Sequence, residues 1–287
     1  FVDADRETMP HDAALIHRLT SLIDELNGKH ADDDEGPFLA LNRPRKWNLS
    51  EKKWIGYERK RGKLEALNAL LTGHDTNAFT VKTGSIGNLD KTRYVITLDS
   101  DTNLLRDSAR QFVGAMAHPL NRARYNAAKD RVVEGYGILQ PRITTSLPAA
   151  NASWYERLCS GDAGIDPYTK TVSDVYQDVF GEGSFIGKGI YDVGIVYKTL
   201  NERLPENSIL SHDLIEGCYA RSGLLSDGQL YEQYPSSYLA DVKRRHRWIR
   251  GDWQLLKWLF PLVPDARPQN KSGKQRNPLT MLSRWKL

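Results

Sequence analysis

The sequence predicts an α/β fold with a mainly parallel sheet flanked by helices. Two observations carry this. Amphipathic helical patterns alternate with short apolar runs, and no fixed-period repeat is present. The sharpest apolar run, Tyr94–Leu98, passes straight into Asp99-Ser100-Asp101-Thr102, as a buried strand does where it opens onto a ligand crevice. At 287 residues, 40% hydrophobic and 26% charged, the chain has the balance of an ordinary globular protein with ample material for a core.

The elements follow in order. Asp12–Asn27 sets Leu15, Ile16, Leu19, Leu22, Ile23 and Leu26 at helical spacing. Residues 29–47 read as a loop around Asp32-Asp33-Asp34-Glu35-Gly36-Pro37, whose acids form a solvated surface. A helix is expected over Gly62–Leu71, stopping near Gly73. Strand Tyr94–Leu98 is followed by a helix at Asp107–Ala117 and a strand at Val133–Gln140. Helices are expected again at Ala152–Leu158, Asp213–Ser222 and Leu239–Leu259.

Two cysteines, Cys159 and Cys218, exclude a disulfide scaffold and a four-cysteine zinc module. They suit a reducing compartment. No run approaches the roughly 18–20 apolar residues of a membrane helix, and no secretory signal is visible. The start at Phe1 rather than Met reads as a piece of a longer protein, which leaves membrane spans in a parent chain open. The net charge of +4 is concentrated at the end of the chain. From Asp265 onward, Arg267, Lys271, Lys274, Arg276, Arg284 and Lys286 outweigh a single acid, and the remainder is close to neutral. That is not the charge of a nucleic-acid binder. It fits either an anionic membrane surface or a solvated tail. We therefore divide the chain into a main domain, 1–252, and a segment 253–287. The latter comprises an interfacial helix, Trp253–Leu262, and a basic membrane-proximal tail.

Five stretches are candidates for chemistry. Asp99 and Asp101, two positions apart at a strand end, repel each other unless a cation or proton intervenes. Hard divalent ions such as Mg²⁺ or Mn²⁺ take such carboxylates together with phosphate oxygens. Asp-Ser-Asp-Thr is equally good turn chemistry. Ser211-His212-Asp213 precedes a helix that Ser211 or Asp213 is expected to cap. Asp213 is there as a cap or as a general base, and His212 packs or orients its neighbour. Arg244, Arg247 and Trp248 fall at i, i+3 and i+4, on one helix face. Guanidiniums suit diphosphate and an indole suits a sugar ring, although a basic helix also serves nucleic acid or membrane. The glycine-rich run Gly181-Glu182-Gly183 through Gly187-Lys188-Gly189 permits close approach of a ligand but lacks the dinucleotide fingerprint. The basic run Arg59-Lys60-Arg61-Gly62-Lys63 enters an apolar helix, where phosphates are favoured; it is otherwise a surface cluster.

The order of these stretches is more specific than any one of them. Gly62-Lys63-x-x-Ala66-Leu67-Asn68, then Leu98-Asp99-Ser100-Asp101, the glycine-rich loop, His212-Asp213 and Arg244-x-x-Arg247-Trp248 resemble processive inverting glycosyltransferases of the cellulose and hyaluronan synthase type. The closer resemblance is to the glycosyltransferase domain of cyclic β-1,2-glucan synthases. It is carried by Phe1–Asp12, Trp54–Glu65, Gly181–Asp192, Leu210–Gly217 and Arg245–Gln254, and covers essentially the whole chain. His212 departs from the acid common before the catalytic Asp.

The resemblance implies a GT-A fold whose first strand lies before Phe1, with Asp5 on the next strand near the donor base. It implies UDP-glucose as donor, a β-1,2-glucan acceptor, and Mg²⁺ or Mn²⁺ on Asp101 and Asp99. Asp213 would be the catalytic base, and Asp5, Lys63, Arg244 and Arg247 would lie on the donor side. Gly181, Glu182, Gly183 and Trp248 would shape the acceptor site. It further implies a place at the cytoplasmic face of a bacterial inner membrane, beside the membrane and phosphorylase-like regions of a parent protein. A non-catalytic nucleotide- or glucan-binding module is the alternative.

Overall fold

The computed structural model describes residues 2–30, 36–74, 77–85, 87, 89–146, 152–159 and 175–287. The chain divides into two units, Phe1–Arg93 and Tyr94–Leu287.

In the first unit, helix α1 (Asp12–His30) is followed by strands β1 (Ala40–Asn42), β2 (Arg45–Asn48) and β3 (Lys53–Gly56), helix α2 (Arg59–Leu71) and strand β4 (Val81–Thr83). β1 pairs antiparallel with β4, and β2 with β3. Part of the expected 29–47 loop is thus strand, and its acidic run 32–35 lies outside the described residues. A buried bidentate pair organises the start of the unit. Arg45 binds both carboxylate oxygens of Asp12, and also donates to the carbonyls of Val2 and Glu7. The stretch around Asp5, expected as a strand, forms one isolated bridge, Ala4 to Trp54, and bends from Asp5 onward.

The second unit comprises β5 (Tyr94–Thr97), β6 (Thr102–Leu104), α3 (Ser108–Ala117), β7 (Arg124–Asn126), β8 (Arg131–Glu134), β9 (Ile138–Thr145), α4 (Trp154–Cys159) and α5 (Val175–Phe180). It continues with β10 (Gly189–Asp192), α6 (Val193–Leu200), α7 (Asp213–Ala220), β11 (Ser222–Glu232), α8 (Tyr238–Gln254), β12 (Leu262–Pro264), β13 (Lys274–Arg276) and α9 (Met281–Lys286). The main sheet has the order β5-β10-β9-β11-β6. It is mixed rather than mainly parallel: only β9–β11 is a parallel neighbour pair, because β10 and β6 run against the others. The expected strand Val133–Gln140 is two strands, β8 and β9, separated at Gly135-Tyr136-Gly137. Pro141 sits inside β9 without an amide to donate. β10 pairs with β9 only at Ile138 and Leu139, and the β11 ladder bulges just after Pro141.

α3 packs on this sheet through Phe112 and Met116, one turn apart, against Leu139, Ile143, Ile190 and Leu230. A second core joins Ile215, Cys218 and Tyr219 of α7 to Leu255, Trp258, Val263 and Leu279. The expected boundary at 252/253 therefore falls inside α8, and the segment beyond it contributes to the core of the second unit. The long helix expected to reach Leu259 ends at Gln254 and tightens into a 3₁₀ turn, Leu255–Leu259.

Candidate active site

The pairing of β5 with β10 sets Thr97 opposite Gly189, and the pairing of β6 with β11 sets Thr102 opposite Glu232. These two registers bring three charged side chains to one end of the sheet. Asp99 follows β5, Lys188 precedes β10, and Glu232 ends β11. Lys188 is buried; its ammonium lies 3.2 Å from Asp99 Oδ2 and is ion-paired with Glu232 Oε1. Burial alone would lower the lysine pKa, but the carboxylates of Glu232 and Asp99 outweigh it and hold the pKa above its ordinary value. Thr102 adds a hydroxyl contact to Glu232 at 3.4 Å, and its amide donates to the Asp99 carbonyl at 3.1 Å. Asp99–Thr102 is thus a turn in its backbone, with the Asp99 carboxylate against Lys188. Asp101 is exposed.

The residue before Lys188 holds the other acid. Gly187 has φ +91°, and a Cβ there would stand 2.6 Å from Asp213 Oδ1, so the carboxylate rests directly on the glycine. The Gly187 carbonyl accepts from the Thr97 hydroxyl at 3.3 Å, which fixes the loop to β5. Asp213 opens α7, where a carboxylate complements the helix dipole. Neither Ser211 nor Asp213 caps this helix. His212 takes the cap position without a side-chain cap bond, and its ring turns inward. Its Nδ1 lies 3.3 Å from Asp213 Oδ1 and 3.1 Å from Glu216 Oε1.

α8 packs against the approach to α7. A Cβ at Gly251 would lie 2.4 Å from Ser211 Cβ, and Gln254 accepts from the Leu210 amide at 2.7 Å. Earlier on the helix, Arg244 is bound by Asp241 at 2.8 Å and stacks 4.8 Å over the Trp248 ring, as the shared face predicts. Arg247 is exposed. Asp241 also receives Arg245 and the Tyr155 hydroxyl, contacts that draw its pKa down against the upward pull of burial.

No protein-family model matches the chain. Cyclic β-(1,2)-glucan synthase NdvB of Rhizobium meliloti (strain 1021) is 43% identical over 288 aligned positions, which take in all of this chain and 10% of that protein. The chain is thus related, end to end, to a segment of cyclic β-(1,2)-glucan synthase.

In this glucan synthase relative the expected acceptor loop is held by internal contacts. Glu182 is buried, paired with Arg131 at 3.2 Å and with the Ser283 hydroxyl at 2.9 Å. Lys286 donates to the carbonyls of Glu182 and Gly183 at 3.1 and 2.8 Å, and Gly183 exchanges bonds with Ser222. Gly181 has φ +70° and lies against the Arg221 guanidinium. Asp5 and Lys63 belong to the first unit, and both are exposed.

Lys188, Glu232 and Glu216 were not among the expected site residues. Lys188 lay within a stretch noted only for its glycines. The sequence around Glu232 carries no local signal, since its position depends on pairing with a strand 130 residues earlier.

Proposed function

We propose that this chain is the catalytic segment of a cyclic glucan synthase, transferring glucose from UDP-glucose to the 2-hydroxyl of a growing β-1,2-glucan with inversion. The observation that carries the reading is the pair of contacts made by Gly187 and Lys188. One residue seats Asp213 and the next binds Asp99, so an acid suited to deprotonating an acceptor and an acid suited to a divalent cation rest against one loop. The relationship to a glucan synthase supports the substrate class.

Asp213 takes the proton from the attacking hydroxyl, a contribution worth roughly 10²–10⁴-fold. His212 and Glu216 orient it. Asp101 and Asp99 are hard oxygen donors and fit Mg²⁺ or Mn²⁺, which when bound supplies countercharge for the departing diphosphate. Arg247 and Arg244 add positive charge on the same side, where it counts most as charge develops. Trp248 offers a flat face to the acceptor. Gly181, Glu182 and Gly183 form the acceptor-side wall, shaped by the Arg131 and Ser283 contacts. The exposed Trp253, Leu256, Phe260 and Leu262 support seating on the cytoplasmic face of an inner membrane, within a larger membrane protein. No helix among the described residues is long and apolar enough to cross a membrane.

The test is turnover of UDP-glucose to UDP with analysis of the linkage formed. D213N is expected to abolish transfer while UDP affinity stays within threefold of the parent. Loss of UDP binding in that variant would contradict the assignment of Asp213 as base.

A further inference from the structure

We propose that Lys188 is a positioning residue that holds Asp99 in the orientation in which the Asp99–Asp101 pair receives a divalent cation with a nucleoside diphosphate. The inference rests on the transferase reading above and deepens it. Lys188 is buried and its ammonium is ion-paired with both Asp99 and Glu232, so its effect on a ligand is assigned to those acids.

Three features argue for this role. The first is rigidity. Lys188 stands between Gly187 and Gly189, and Thr97 donates to the carbonyls of both at 3.3 and 3.4 Å. The lysine therefore projects from a backbone tied to the strand that delivers Asp99. The second is that Asp99 lies beyond the end of β5, in a turn, and Lys188, which precedes the neighbouring strand β10, meets its carboxylate there. The third is charge. Asp99, Asp101, Glu232 and Lys188 together carry −2, which a divalent cation neutralises. Without Glu232 the lysine would cancel most of the charge at Asp99. With it, Lys188 orients Asp99 and leaves the group anionic. Contacts of this outer kind commonly change metal affinity by about 10–100-fold when removed.

The experiment is calorimetric titration of UDP into the whole chain at increasing Mn²⁺, for wild type, K188M, K188R and E232Q. Circular dichroism and thermal unfolding without metal serve as the folding check. In wild type, UDP binding should depend on Mn²⁺. K188M should raise the Mn²⁺ concentration for half-maximal UDP binding by about tenfold or more. K188R, which keeps the cation, should return it to within about threefold of wild type. E232Q, which reduces the group to −1, should raise it several-fold. A folded K188M whose Mn²⁺ midpoint lies within twofold of wild type would overturn the assignment. If K188M does not fold, E232Q and K188R both matching wild type within twofold would overturn it as well. Absence of UDP binding in wild type at saturating Mn²⁺ would instead sink the transferase reading, and the positioning role with it.

Discussion

Gly187 is the residue at which backbone and chemistry meet. Its left-handed conformation disfavours any side chain, and the space a Cβ would take is filled by the Asp213 carboxylate. G187A should therefore displace Asp213 and lower transfer at least 100-fold, while UDP affinity changes less than threefold; kinetics set beside calorimetry would separate the two. D101A should remove the Mn²⁺-dependent part of UDP binding, and unchanged metal dependence would argue against Asp101 as a ligand. Asp12 makes a different kind of statement. Its hydrogen bonds with Arg45 pull its pKa from 3.8 to about 2. A depressed carboxylate stabilises the fold fully above its unfolded value and loses that contribution as pH falls through the folded one. Thermal unfolding should show stability declining from about pH 4 to about pH 2, and D12N should flatten that slope. At this scale Asp99, Asp101 and Asp213 stand out in the sequence as candidates, because each lies where a pattern changes from strand or loop to something else; the Gly187–Lys188 loop meets Asp99 and Asp213, and Asp101 is exposed. Lys188 does not stand out, because nothing local says which side chains a lysine between two glycines will meet.

α8 and the residues after it show what element-level reading catches and misses. Helical spacing correctly placed Arg244 beside Trp248. It did not reveal that the helix stops at Gln254, or that Leu255 and Trp258 turn inward onto α7. The same apolar residues suit an interfacial helix and a core, and only the partners distinguish the two. Trp258 is fully buried, with its indole nitrogen 3.3 Å from the Tyr219 hydroxyl. W258A should cost about 3–5 kcal/mol in denaturant unfolding of the second unit, the usual range for removing a buried tryptophan. A loss below about 1 kcal/mol would mean that this segment is not part of that core. The sheet has a similar lesson. Alternating strands and helices suggested parallel neighbours, yet β10 enters antiparallel between β5 and β9. Strand direction is set by pairing across large sequence separations, and apolar runs carry no record of it. The glycines at 135 and 137 were the overlooked sign that β8 and β9 are separate strands.

For the whole molecule, the basic tail is built into the second unit. Arg267 is tied to Asp130 and Asp265 at 2.7 and 2.8 Å, and Lys286 holds the Glu182–Gly183 carbonyls. Its positive charge is thus partly spent on structure, which sequence charge counts could not tell. The chain spans about a tenth of the curated relative it matches, and all of the chain lies within the match. We propose that this segment binds a nucleotide sugar through a cation site at the end of β5, and calorimetric titration of UDP, with Mn²⁺ and then with chelator, is the test. Saturable one-site binding is expected with Mn²⁺, lost with chelator and in D101A. Binding of equal strength with chelator present, or none at saturating Mn²⁺, would contradict it.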